Sequence, residues 1–119
     1  MSEAQTVVDG PEVGRDLTAF QRNILVILSE ESMYGLAIKR ALEEYYGTEV
    51  NHGRLYPNLD ELVEMGLVEK GELDERTNEY TLTEAGERVL IDRLDWTLSK
   101  FVTGEERAET VTDLVRRHR

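Results

Sequence analysis

Side chains that can read DNA bases are concentrated at the front, residues 51–58, of the segment NHGRLYPNLDELVEMGLVEK, which spans residues 51–70. Arginine can bond to both acceptors of a guanine edge, and asparagine pairs in a similar way with adenine. Arg54 is therefore a candidate for reading a guanine, and Asn51 and Asn58 are candidates for reading an adenine or bonding a phosphate. The acidic residues of the segment follow later. We predict that the first turns of a helix beginning here enter the major groove of DNA.

Several of these positions also allow a structural role. Asn51 has the side chain of a helix N-cap, and Tyr56 can either donate its hydroxyl to a phosphate or lie half-buried in the core. His52 and Gly53 complete the front, so we include them in the predicted DNA-binding surface. Lys39, further upstream, is a candidate for a phosphate contact, although most surface lysines make no such contact. The sequence leaves these alternatives open.

Three short helices are predicted between Thr18 and Gly66. The first begins at Thr18, where Gln21 three residues later completes a capping box. The second covers YGLAIKRALEEYYG and ends at Gly47, with its core side formed by Leu36, Ile38, Ala41, Leu42 and Tyr45. The third ends at Gly66, with its buried stripe formed by Leu55, Leu59, Leu62 and Val63. This order of helices predicts a helix-turn-helix unit.

After these helices, the spacing of apolar residues changes from the helical pattern to the alternation of a strand. The run LVEKGEL, the polar tip DERTNE and the alternating EYTLT predict two antiparallel strands joined by a turn. A hairpin directly after a helix-turn-helix forms the wing of a winged helix. The tip carries Arg76, Thr77 and Asn78, which are candidates for a contact with the minor groove or the DNA backbone. A solvated turn would have the same composition.

The long helix after the wing is predicted from Glu84 to about Val102, with Thr83 as its N-cap. Its apolar side is too long for a small winged domain to cover, and a final helix, EERAETVTDLVRRHR, adds further apolar residues. We predict that these helices pair with those of a second chain, so that a two-fold dimer presents two reading helices to DNA. The predicted dimer interface comprises Leu90, Leu94, Leu98, Phe101, Val102 and Leu114. Packing of the long helix on its own domain is the alternative.

The predicted fold class is mainly α with a small β-hairpin: a winged helix-turn-helix followed by a long C-terminal dimerisation helix. Residues 1–14 are expected to form a flexible tail. Residues 15–83 are expected to form the DNA-binding domain, and residues 84–119 the helical dimerisation region.

The composition excludes several classes of protein. The chain has no cysteine, so disulfides, thiolate metal sites and thiol redox sensing are excluded, and its two histidines lack the spacing of a zinc site. The sequence offers no nucleophile paired with a base and no glycine-rich phosphate loop, so we expect neither an enzyme nor a cofactor. No run is long and apolar enough for a membrane span, and the first residues do not form a signal peptide. We therefore expect a cytoplasmic protein.

The charge balance is unusual for a protein that is expected to bind DNA. Aspartate and glutamate number 25 against 14 lysines and arginines, and the formal net charge is −11. Such an acidic surplus, with few lysines, is typical of proteins from cytoplasms kept at molar salt. At about 1 M salt the Debye length is only about 3 Å, so long-range repulsion of DNA is almost absent. We hypothesise that some carboxylates near phosphates act through bridging cations.

Four motifs of the chain resemble the PadR-like winged-helix transcriptional regulators. They lie at Tyr34-Gly35, Leu55 to Leu59, Gly66 to Val68 and Leu82 to Gly86. The match covers about residues 18–100 and resembles the short branch of the family, which has one main dimerisation helix. It implies a regulator that binds double-stranded promoter DNA as a homodimer. With its acidic, cysteine-free composition, the chain is similar to a haloarchaeal member that regulates the oxidative-stress response.

Two features depart from the family pattern. The third helix begins Asn51-His52-Gly53-Arg54, where many members have serine and small residues, so a base preference does not transfer. The wing carries Glu72, Asp74 and Glu75 beside Arg76, whereas most members have a basic wing. A winged helix used only for protein interaction is therefore the alternative, and it predicts no sequence-selective binding of DNA.

Overall fold

The computed structural model describes residues 16–72, 74 and 77–119. Within these residues the chain forms, in order, α1 Ala19–Leu28, β1 Met33–Tyr34, α2 Gly35–Tyr46, α3 His52–Glu64, β2 Val68–Glu72, β3 Asn78–Leu82, α4 Glu84–Phe101 and α5 Glu105–Arg117. The three predicted short helices, the wing, the long helix and the final helix are all present. The expected flexible tail lies outside the described residues.

Local signals set the ends of the helices as predicted. Thr18 and Gln21 form both bonds of the capping box at the start of α1, each 3.1 Å long. Thr83 caps α4 by accepting a hydrogen bond from the Gly86 N–H at 3.1 Å. Gly47 ends α2 with a φ of 72°, a left-handed conformation that glycine adopts without steric penalty.

Two residues of α2 were wrongly predicted to lie in the core. Leu36 is exposed because it lies on the opposite side of the helix from the fully buried Ile38 and Leu42. Tyr45 is exposed because Tyr46 makes the contact of the last turn with α1: the Tyr46 ring stacks on Phe20, and its hydroxyl accepts a hydrogen bond from Asn23 at 2.9 Å. Helical spacing alone did not show which residue of this turn meets α1.

The sheet contains a third strand that the sequence analysis did not predict. The order is β1-β3-β2, and β1 pairs with β3 through Met33 opposite Tyr80 and Tyr34 opposite Glu79. The Ser32 hydroxyl also bonds to the Thr81 hydroxyl at 2.8 Å. Because β1 immediately precedes α2, this pairing attaches the base of the wing to the helix-turn-helix.

The hydrophobic core lies where α1, α2 and α3 meet the sheet, and it takes in only the first turns of α4. Ile24, Ile38, Leu55 and Leu59 are fully buried within it, and Val89 is its last buried residue. Beyond Leu90, α4 runs away from the core with its side chains in solvent. None of the helices in the described ranges is long and apolar enough to cross a membrane.

Candidate nucleic-acid interface

Helix α3 begins at the N-cap that the sequence predicts and continues through its internal proline. The Asn51 Oδ1 accepts a hydrogen bond from the Gly53 N–H at 2.8 Å. Pro57 lies inside the helix with its ring exposed to solvent. The opposite side of the helix buries Leu55, Leu59 and Leu62. The core thus holds α3 in place and leaves the Pro57 side free to meet a partner.

On the side toward the wing, His52 and Tyr56 form a stacked pair. Their ring centroids lie 5.6 Å apart with an interplanar angle of 9°. The Tyr56 ring packs directly over Gly35 at the start of α2, so closely that a Cβ atom at that position would overlap the Tyr56 hydroxyl. The motifs at Tyr34-Gly35 and at Leu55 to Leu59, which are distant in sequence, therefore contact each other in the fold.

A cleft of about 420 Å³ brings several predicted DNA-binding residues together. It is lined by Tyr34, Gly35, Leu36, Tyr56, Asp74, Thr77, Asn78 and Tyr80. The cleft joins the front of α3, the start of α2 and the wing tip. At the start of α2, the Tyr34 side chain does not cap the first N–H groups of the helix. Arg76, also predicted at the wing tip, lies outside the described residues.

Tyr80 is a buried member of this cleft that the sequence analysis assigned only to the strand. It is 2% exposed, and its hydroxyl makes no hydrogen bond to another described residue. Burial is the main cause that raises the pKa of Tyr80, and the negative charge of Asp60 raises it further. The hydroxyl therefore stays protonated at neutral pH and can donate into the cleft.

On the side toward α1, the predicted base readers Arg54 and Asn58 contact the protein itself. The Arg54 guanidinium carbon lies 3.9 Å from the centroid of the Phe20 ring. The Asn58 Nδ2 donates to the Arg54 carbonyl at 2.7 Å, and its Oδ1 accepts from the Gln21 Nε2 at 3.1 Å. Gln21, 4% exposed, also donates to Glu61. The sequence showed Gln21 only as a capping residue, because its partners on α3 are about forty positions away.

Lys39 is paired within the helix-turn-helix. Its ammonium bonds to the Glu43 carboxylate at 2.8 Å, and the same oxygen accepts the Val50 N–H at 2.9 Å. The bond from Lys39 is the first cause that lowers the pKa of Glu43, and the bond from Val50 is the second. Lys39 and Glu43 thus stabilise the connection between α2 and α3, and the Lys39 charge is already balanced.

The rear of α3 is acidic. Asp60 and Glu64 are exposed on the same side as Pro57, and Lys70 of the wing lies 4.0 Å from Asp60. Among the residues that the structure describes, no three histidine or acidic side chains are grouped so that they could hold a metal ion. The charge of α3 therefore changes from neutral or basic at the front to negative at the rear, as its sequence predicts.

Apolar side chains remain exposed on the rear of α4 and on α5. They are Ile91, Leu94, Trp96, Leu98, Phe101, Leu114 and Val115. The predicted interface residues Leu90 and Val102 are half-buried, and Leu90 packs against the chain's own core. The Arg107 guanidinium lies 4.7 Å from the Phe101 ring and donates to the Phe101 carbonyl at 3.2 Å, which fastens α5 to the end of α4.

Known proteins share both the sequence pattern and the fold. The transcriptional regulator PadR-like family matches residues 24–92. A structure of RosR from Halobacterium salinarum, in the complex named RosR-S1, is 66% identical with a TM-score of 0.86, covering 88% of this chain and 94% of its own. Another RosR structure, grown from NaBr, is 66% identical with a TM-score of 0.85, covering 87% and 94%.

A more distant structure extends the comparison to a complex with DNA. Bacillus subtilis PadR in complex with operator DNA is 25% identical with a TM-score of 0.55, covering 66% of this chain and 47% of its own. A search of curated protein sequences gives no significant match. The family pattern covers more than half of the chain, and the RosR structures cover most of it at high identity. The chain therefore belongs to the PadR-like family of transcriptional regulators.

Proposed function

We propose that this protein binds promoter DNA sequence-specifically as a homodimer in the cytoplasm, and that it regulates transcription in the oxidative-stress response of a haloarchaeon. The observation that carries the DNA-binding part is the cleft shared by Tyr56, Thr77 and Asn78, because it unites the front of α3 with the wing. The operator complex of Bacillus subtilis PadR supports this part. The identity with RosR of Halobacterium salinarum supports the haloarchaeal setting.

The proposed DNA-binding residues act in two groups. The front of α3 enters the major groove, and the wing tip contacts the backbone or the minor groove. The Tyr56 and Tyr80 hydroxyls and the free N–H groups at the start of α2 are suited to a phosphate that enters the cleft, since all are donors. The residues proposed to meet DNA are Lys39, Asn51, His52, Gly53, Arg54, Tyr56, Asn58, Arg76, Thr77 and Asn78.

The proposed dimer forms through α4 and α5. Leu94, Leu98 and Phe101 repeat at a spacing of four and three residues, so they share one side of α4. They are exposed in the single chain, although soluble proteins rarely leave such a continuous apolar surface open. Pairing with the same surface of a second chain would bury it and would place two α3 helices on a two-fold operator.

We also propose that the acidic surface near DNA acts through cations. Asp60 and Glu64 extend along α3 behind the reading front, and Asp74 lines the cleft. A carboxylate close to a phosphate requires a positive ion between the two, which potassium at molar concentration would supply. Binding should then take up cations, whereas an ordinary basic protein mainly releases them. Affinity measured across a KCl series tests this: a slope as steeply negative as that of a basic DNA binder would contradict it.

Selection from a pool of random duplexes in molar KCl tests the proposed function directly. We expect the protein to enrich one motif with two-fold symmetry, and to bind that motif more tightly than a scrambled duplex. Failure to enrich any motif would overturn the proposal and would favour a winged helix used for protein interaction. Mapping of bound genomic sites with and without oxidant tests the oxidative-stress part separately.

A further inference from the structure

The side of α3 that points away from the core is formed by residues 53, 57, 60 and 64. These positions are spaced by four, three and four residues, and they start two residues before the buried stripe of Leu55, Leu59 and Leu62. With 3.6 residues per turn, an offset of two residues is about 200° around the helix. The outward side is therefore opposite the leucines, and it is the part of α3 best placed to meet the floor of a groove.

Most polar side chains at the front of α3 turn to its flanks. Asn51 caps the helix through the Gly53 N–H, and Arg54 rests on the Phe20 ring. Asn58 bonds to the Arg54 carbonyl and to Gln21. On the opposite flank His52 stacks on Tyr56, whose ring packs over Gly35.

The outward side of the front thus presents Gly53 and Pro57, which have no hydrogen-bonding side chain. Behind them come the carboxylates of Asp60 and Glu64, which restrict close contact with DNA to the front. A Cβ added at Gly53 would meet only the Asn51 Oδ1, at 3.1 Å, so the rest of the fold does not require glycine there. The absence of a side chain instead allows the helix backbone to approach a partner closely.

Building on the proposed function, we propose that Pro57 selects thymine through an apolar contact between its ring and the thymine C5-methyl group, with Gly53 allowing the close approach. The thymine methyl is the one apolar group that a base pair presents in the major groove, and apolar side chains read it. Pro57 is thereby a specificity-determining residue. Arg54 and Asn58 lie on the flank beside it.

Replacing thymine by deoxyuridine in the DNA tests this contact, because the change removes the methyl group and retains the base pairing. The probe is the duplex obtained by selection, with all thymines replaced first and then one at a time. For the unaltered protein we expect about fourfold weaker binding for each half-site, the factor for withdrawing one methyl-sized group from water.

Two variants at Pro57 form a matched pair. Pro57→Val keeps an apolar contact and Pro57→Ser removes it, while both restore the same backbone N–H. We expect the valine variant to discriminate thymine from deoxyuridine, and the serine variant to bind both duplexes equally. Thermal unfolding and binding to a scrambled duplex should be alike for the two variants.

The outcomes separate this inference from the proposed function. Specific binding that is indifferent to deoxyuridine, or a selected motif without thymine, would overturn the role of Pro57 and leave the DNA-binding function standing. Deoxyuridine discrimination that persists unchanged in Pro57→Ser would assign the methyl contact to another residue. A protein that enriches no motif would overturn both proposals.

Discussion

Apolar residues recur at helical spacing both in the winged unit, residues 17–90, and in the C-terminal arm, residues 91–117. They are mainly buried in the winged unit and mainly exposed in the arm. Leu59 in α3 is fully buried, whereas Leu94 in α4 has 62% of its surface exposed. Both belong to helices whose apolar residues recur at core spacing. The difference lies in what surrounds these two leucines. The core formed with α1, α2 and the sheet encloses Leu59, whereas no described part of the chain covers the rear of α4. The winged unit buries its apolar residues within one chain, and we propose that the arm buries its own in a dimer.

This difference suggests separate roles for the winged unit and the arm. The winged unit contains the cleft and the front of α3, which form the proposed DNA-binding surface. In the proposed dimer, the arm would set the distance between two such surfaces. Because a dimer is stabilised by mass action, the order of the arm should depend on protein concentration more than that of the winged unit.

The largest expected effect comes from truncating a buried side chain in the core of the winged unit. Leu59→Ala removes a fully buried side chain and leaves a cavity, so the free energy of unfolding should fall by about 2–5 kcal/mol. Leu94→Ala makes the same chemical change in the arm and should leave the fold of the winged unit intact. Urea unfolding followed by circular dichroism measures both. An equal loss at every protein concentration would contradict the contrast between the two regions.

A charge on the apolar side of the arm should dissociate the dimer without unfolding the winged unit. Leu94→Asp removes apolar burial and adds a charge at two symmetric positions, so we expect the dissociation constant of the dimer to rise by at least about a hundredfold. Analytical ultracentrifugation measures this change. Trp96→Gln is the control, because Trp96 is also exposed but lies about 200° around α4 from Leu94. Dissociation by the control and not by Leu94→Asp would place the interface on the other side of α4.

Substitution at Gly86 tests how the start of α4 packs on the rest of the winged unit. A Cβ atom there would overlap the Leu67 carbonyl and the Leu82 side chain, so Gly86→Ala should lower the free energy of unfolding by about 1–3 kcal/mol. Gly104→Ala, in the arm, meets no atom within 4 Å and should have little effect. Thermal unfolding distinguishes the two. If both variants unfold at the same temperature as the unaltered protein, α4 does not pack on the wing as closely as described.

Arg54 belongs to the winged unit, so its loss should alter DNA binding and leave dimerisation unchanged. Arg54→Ala should weaken specific binding by about 1–3 kcal/mol if the guanidinium reads a base. Arg54→Lys keeps the charge without the bidentate fork, so it separates a base contact from a phosphate contact. Binding to the selected and scrambled duplexes measures the difference. Equal losses on both duplexes would make Arg54 a backbone contact.

The smallest expected effect is a pH-dependent one within the helix-turn-helix. The pKa of Glu43 is lowered first by its bond from Lys39 and then by its bond from Val50. A lowered pKa means that the ionised form is favoured in the folded state. This contribution to stability is therefore present above the ordinary glutamate pKa and is lost as the pH falls through the lowered value. Glu43→Gln should reduce the melting temperature slightly at neutral pH, and the difference should vanish in acid; a constant difference would exclude this cause.

Local signals in the sequence were sufficient for most of the fold. The capping box at Thr18, the ends of helices at Gly47 and Gly66, and the change of period at the wing each depend on residues close in sequence. The structure confirms these elements. Buried stripes such as that of α3 were also predictable, because helical spacing determines which residues share a side.

Features that depend on distant partners were not predictable in the same way. Strand β1 has only two residues, too few to show a period, and it exists because β3 lies beside it. The exposure of Tyr45 depends on Tyr46 making the contact with α1 instead. The bonds of Asn58 to α1 likewise depend on tertiary packing. For the candidate site, the sequence identified the front of α3 and did not show that Arg54 and Asn58 turn toward its flank.

The most direct test of the central claim is the stoichiometry of the DNA complex, measured by native mass spectrometry or ultracentrifugation on the selected duplex in high salt. The account predicts two chains on one two-fold motif, with half-sites about one helical turn apart, and loss of this complex in Leu94→Asp. A single chain that binds one half-site as tightly as the dimer binds the whole motif would contradict it. So would a Leu94→Asp variant that still binds as a pair.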